Sequence, residues 1–199
     1  MVKNVFVDTN VLTGYLLIHG KDRITRNKED KQKLWKQYQG LVSSFKLISE
    51  ILKSKDRNFK FIISPLTFSE IFNVLYEEAI CKKMWDDGVP LSSWIRKKKS
   101  FKFLEDFEIK ELEKDAFKLY SKNNLKIVNE FYDLKLIPKL ILKYNLMTQD
   151  AILFSTANKY CKFFISRDED FIKNPRLRED FKKIEIISPE EALRKFFKK

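Results

Sequence analysis

Short apolar runs alternate along this chain with longer stretches in which apolar residues recur at helical spacing. The first run, Lys3–Val7, is too short for a helix and reads as a buried strand. Behind it Val11, Leu12, Tyr15 and Leu16 share one helix face, so a helix is expected from about Asn10, capped by Asp8 or Thr9. A polar, basic connector is expected over residues 21–30. One long helix is then expected through Leu34, Tyr38, Leu41, Phe45, Ile48 and Leu52. Phe59–Ile63 is a second buried strand. Ser64 and Pro65 stand as N-cap and first residue of a helix through Glu70, Val74 and Glu78, which ends before the turn signal Asp87-Gly88-Val89-Pro90.

Residues 91–124 carry an irregular helical pattern, and 125–128 read as a brief third strand. A helix is expected over 130–144, kinked or divided by Pro138. Thr148 is placed as the cap of the next helix, which puts Asp150 in its first turn, where the helix dipole favours a carboxylate. Residues 162–165 and 184–187 are the fourth and fifth strands, and Ser188-Pro189-Glu190-Glu191 is a capping box opening the last helix. Strands alternating with helices in this order predict an α/β fold, with a parallel sheet covered by helices on both faces.

Composition narrows the class. The chain has 199 residues, 44% of them hydrophobic and 34% charged, which suits one globular domain with a sizeable core. Lys and Arg total 40 against 28 Asp and Glu, a net charge of +12, and such an excess of base favours a nucleic-acid partner. Cys81 and Cys161 are the only cysteines, read as reduced, buried thiols of a cytoplasmic protein. With His19 the sole histidine, a Cys/His zinc site is excluded. No apolar stretch approaches the length of a membrane span, so no membrane association is expected.

Four acids stand where strands give way to loops or helices: Asp8, Glu70, Asp150 and Asp168. Each alone has an ordinary reading. Asp8 and Asp150 suit helix caps, Glu70 a solvated helix face, and Asp168 and Asp170 a loop beside a core Phe171. Together they point elsewhere, because ligands of open α/β sheets bind outside the carboxyl ends of the strands. Carboxylates gathered there call for a divalent cation, and hard oxygen ligands suit Mg²⁺ or Mn²⁺. Thr9, Asn10, Ser69, Thr148, Gln149 and Ser166 flank the acids and can orient them or a metal-bound water. No Gly-rich phosphate loop is present, which argues against an NTPase.

Val-Phe-Val-Asp-Thr-Asn-Val-Leu, Phe-Ser-Glu-Ile-Phe-Asn-Val-Leu, Thr-Gln-Asp-Ala-Ile-Leu-Phe-Ser-Thr-Ala and Ile-Ser-Arg-Asp-Glu-Asp-Phe resemble, in order, the motifs of PIN-domain nucleases. They are especially similar to those of the toxin ribonucleases of VapBC toxin–antitoxin pairs. The resemblance implies a PIN-like three-layer α/β/α fold with a five-stranded parallel sheet of order 3-2-1-4-5. It implies a metal-dependent endoribonuclease with Asp8, Glu70, Asp150 and Asp168 as catalytic and metal-binding residues, and Asp170 as a further metal-ligating carboxylate. Thr9 matches the hydroxyl after the first aspartate. Ser166 stands where the family more often has threonine, and with Thr9 and Asn10 it forms the supporting polar shell. RNA is the expected substrate, a cognate antitoxin and a second copy of the chain the expected partners. A housekeeping RNA-processing nuclease and a non-catalytic RNA-binding module are the alternative readings. Residues 1–199 are expected to be a single domain, longer than the compact toxins, with helical insertions near 20–56 and 87–124. The second insertion interleaves Trp94, Arg96, Lys97, Lys98 and Lys99 up to Phe103, which reads equally as a single-strand RNA-binding surface or as an amphipathic helix with Phe101 and Leu104 in the core.

Overall fold

In a computed structural model, which describes residues 2–24, 27–54, 58–97, 106–121 and 125–197, the first apolar run forms strand β1 (Lys3–Val7) and leads into helix α1 (Thr9–Ile24). The chain continues through α2 (Lys28–Gln37), a 3₁₀ turn (Gln39–Leu41), α3 (Val42–Lys53), β2 (Phe59–Ile63) and α4 (Pro65–Asp86). A second 3₁₀ turn (Leu91–Ser93), α5 (Trp94–Lys97), α6 (Asp106–Ser121), β3 (Leu125–Ile127), α7 (Leu136–Tyr144) and α8 (Thr148–Tyr160) follow. Strand β4 (Phe163–Ile165), short helices α9 (Glu169–Ile172) and α10 (Pro175–Asp180), β5 (Glu185–Ile187) and α11 (Pro189–Phe196) complete it.

All pairings in the five-stranded sheet are parallel and the order is β3-β2-β1-β4-β5, the order expected from the resemblance. Strand side chains alternate between faces, and the sequence fills both with apolar residues. Val5, Val7, Phe61, Ile63, Phe163, Ile165 and Ile187 pack one face against α1, α3, α4, α6 and α11. Phe6, Ile62, Phe164 and Ile186 pack the other against α7, α8, α9 and α10. Phe154 anchors that second layer, stacked on Phe171 and edge-on to Phe164 and Phe181.

Several local expectations need correcting. The 21–30 connector is shorter than expected: α1 runs to Ile24 and α2 begins at Lys28. The long helix through Leu34 and Leu52 is two helices, separated by the 3₁₀ turn at Gln39–Leu41. Residues 130–133 are not helical. α7 begins at Leu136 because the Asp133 carboxylate accepts the backbone N–H groups of Lys135 and Leu136, so Pro138 falls in the first turn, where no intrahelical donor is needed. Met147 precedes α8 without a side-chain cap, and Thr148 is its first residue rather than its cap. Cys81 and Cys161 are half-buried rather than buried. Among the described residues, no helix is long and apolar enough to cross a membrane.

Candidate active site

β1 and β4 lie side by side at the centre of the sheet, and the chain leaves them toward opposite faces: β1 feeds α1 on one layer, β4 feeds α9 on the other. A crevice opens where such connections diverge. The Asp8 N–H donates to the Ile165 carbonyl (3.0 Å), which ties the ends of β1 and β4 together, and the Ser166 N–H donates to the Ile187 carbonyl (3.2 Å), which ties the end of β4 to β5. A cleft of about 420 Å³ lies there. Asp8 enters it from the end of β1, Glu70 from α4, Asp150 from the first turn of α8, and Asp168 from the loop after β4. Two layers of helices and two strand ends thus deliver the four sequence-predicted acids to one cleft.

Asp8 is buried and held by three donors. The Thr9 N–H reaches its Oδ1 (2.7 Å), while Asn10 Nδ2 (2.9 Å) and Ser166 Oγ (2.6 Å) reach its Oδ2. Ser166 Oγ also accepts the Asp168 N–H (2.9 Å), and Thr9 Oγ1 donates to Glu70 Oε2 (2.5 Å). The three expected supporting residues, Thr9, Asn10 and Ser166, therefore make direct bonds to the acids. Asp168 also has the cap role of the ordinary reading: its Oδ1 accepts the Asp170 N–H (2.9 Å) and opens α9. His19 stacks on Tyr15 and does not line the cleft.

The electrostatics follow from burial and crowding. Burial first, then the neighbouring charges of Asp150 and Glu70, push the Asp8 carboxyl up to about 7, against the opposing bonds from Ser166 and Thr9. Burial, then Asp168, Glu70 and Asp170, raise Asp150 to about 6. Glu70 is raised by burial, with its Thr9 bond opposing. Asp170 contributes charge to this set but lies on the exposed outer side, on a second depression with Lys173 and Arg176. Among the described residues, no three acidic, cysteine or histidine side chains stand in ready metal-ligand proximity. The donor set, all oxygen and mutually repelling, nevertheless has the chemistry of a hard divalent cation site.

Gln149, an expected flanking group, also lines the cleft, as do Leu41 and Val74 from expected helices; Thr13, Leu17, Asn73 and Arg167 join them with no such expectation. Trp94, Arg96 and Lys97 do not line the cleft. Trp94 is half-buried, its indole N–H donating to the Val89 carbonyl (2.9 Å), and Arg96 and Lys97 are exposed on α5. Lys98, Lys99, Phe101, Phe103 and Leu104 lie outside the described residues.

No protein-family model matches the chain. An uncharacterized protein of Archaeoglobus fulgidus is 33% identical to it over 90 residues, 45% of this chain and 72% of that protein. Ribonuclease VapC6 of Methanocaldococcus jannaschii is 27% identical over 186 residues, 92% of this chain and 94% of its own length.

Proposed function

We propose that this chain is a metal-dependent endoribonuclease of the PIN type, a single domain that forms the toxin half of a VapBC-type pair and acts in the cytoplasm. The observation that carries the reading is the meeting of Asp8, Glu70, Asp150 and Asp168, from four separate elements, in one cleft at the switch point of the sheet. The similarity to a ribonuclease along nearly the whole chain supports it. The same reading brings a cognate antitoxin and a second copy of the chain as partners.

Asp8, Glu70, Asp150 and Asp168 would hold Mg²⁺ or Mn²⁺, with Asp170 at the rim, and the ion would supply charge neutralisation at the phosphate and an acidified water. The chain's own residues divide the remaining work. Both oxygens of Asp8 are engaged by donors, so this carboxylate is fixed in place and would be the immobile ligand of such an ion. Thr9 turns Glu70 into the cleft. Asp168 accepts on Oδ1 alone among the described residues, which leaves Oδ2 to take the proton of the attacking water. No histidine lines the cleft to compete for that role.

The test is cleavage of a single-stranded RNA by purified protein and by Asp8→Asn and Asp150→Asn. Each variant should lose at least about a hundredfold in rate while retaining its circular dichroism spectrum. Full activity in either would remove the site assignment.

A further inference from the structure

Arg167 is the basic side chain among the residues lining the carboxylate cleft. Its backbone is locked on both sides. Its N–H donates to Asn10 Oδ1 (3.0 Å), and the preceding Ser166 Oγ bridges Asp8 and the Asp168 N–H. The side chain is half-buried and passes the 3₁₀ turn between α2 and α3, with Nη2 4.0 Å from where a Cβ on Gly40 would stand. Among the described residues its guanidinium takes no hydrogen bond and no ion pair within bonding distance. Glu190 is the acid whose charge it feels. A half-exposed cation on the cleft wall, with its N–H donors turned to solvent and not committed to protein acceptors, can bind an anion that enters the cleft.

We propose that the Arg167 guanidinium grips a backbone phosphate of the RNA strand lying in this cleft, next to the bond that is cut, and so sets the register of the scissile phosphate over the acids. This rests on the ribonuclease reading above. An acidic cleft repels a polyanion, and a fixed cation on its wall offsets that repulsion where the strand must enter. The planar guanidinium matches two phosphate oxygens at once, which a lysine ammonium does not. Arginine keeps its charge at any working pH, so its part is to bind and orient and not to move a proton.

The experiment compares wild type, R167A and R167K on one short single-stranded oligoribonucleotide, reading KM, kcat and the salt dependence of affinity. R167A should raise KM by at least about tenfold. It should also flatten the slope of log affinity against log salt by about 0.7, one phosphate contact on a single strand. R167K should keep the slope and recover part of the KM, since it restores charge without the bidentate fork. An unchanged KM and slope in R167A would overturn the proposal. So would a rise in KM with an unchanged slope and a lowered Tm, which would make Arg167 a tether between the β4 loop and the 3₁₀ turn. If R167A does not fold, R167K decides: a raised KM with the slope kept supports the clamp, and wild-type KM overturns it. Wild-type protein that neither binds nor cleaves RNA would bring down the ribonuclease reading itself. Cleavage by wild type with R167A equal to it brings down this inference alone.

Discussion

Asp8 and Asp150 carry a load that the fold tolerates rather than needs. In protein stripped of divalent ions both carboxyls sit well above their ordinary range, Asp8 at about 7 and Asp150 at about 6. An acid raised in the folded state binds more protons there than in the unfolded chain. Its stabilising contribution is complete below about pH 4 and is lost as pH rises through the folded-state values. Urea unfolding in EDTA should therefore show a lower midpoint at about pH 8 than at about pH 5, by a few kcal/mol in all. Asp150 accepts no side-chain hydrogen bond among the described residues, so Asp150→Asn removes repulsion without orphaning a donor. Discounted for its partial exposure, that should be worth about 1 kcal/mol near neutral pH, a rise in Tm of about 2–4 °C. A lower Tm for Asp150→Asn, or a midpoint that does not fall with pH, would mean that these carboxylates support the fold. The acids themselves were legible in the sequence because Asp8 and Asp168 follow strands, Asp150 stands in the first turn of a helix and Glu70 in the second turn of the helix after β2. Arg167, Thr13, Asn73 and Val74 were not, because lining a cleft depends on how helices from different layers meet.

At the scale of elements, α1 and α3 cross closely beside the cleft, at Gly14 and Ser44. A Cβ added to Gly14 would lie 3.1 Å from Ser44 Cβ, closer than packed carbons normally sit. Ser44 is fully buried there, and its hydroxyl has no partner among the described residues. Gly14→Ala should cost about 1–3 kcal/mol through overpacking despite the better helix propensity of alanine. Ser44→Ala should be neutral or stabilising by about 1 kcal/mol, because it removes an unsatisfied buried group. Thermal melts of the two variants check both signs, and a stable Gly14→Ala protein would show that the helices can part freely. Local chemistry was most legible where a terminus carries its own signal. Ser188 and Glu191 form the expected reciprocal capping box, and the Thr67 N–H meets Ser64 Oγ (3.3 Å) ahead of α4. It was least legible where apolar spacing runs on through a break. Tyr38, Leu41 and Phe45 keep a helical rhythm, yet the chain tightens to 3₁₀ at Gln39–Leu41, and that turn is what brings Leu41 to the cleft wall. The start of α7 is hidden for a related reason, since a Pro two residues inside a short helix reads from sequence as a kink within a longer one.

For the whole molecule, a sheet order of 3-2-1-4-5 matters because it sets two layers of helices around a single switch point and aims acids from both layers into it. On the proposed reading, the net charge of +12 would act at longer range and draw a polyanion toward a cleft lined by acids. Fold class could be read from strand and helix periodicity and the acids from their places near strand ends, whereas the roles of residues 20–56 and 87–124 could not, because a helical rhythm there says that helices form and not what they serve. The most direct test of the account is RNA cleavage by protein treated exhaustively with EDTA and then supplied with Mn²⁺ or Mg²⁺. No cleavage is expected after chelation and full recovery on adding either ion, with Asp8→Asn unresponsive to both. Cleavage that persists through chelation, or recovery in Asp8→Asn equal to wild type, would contradict it.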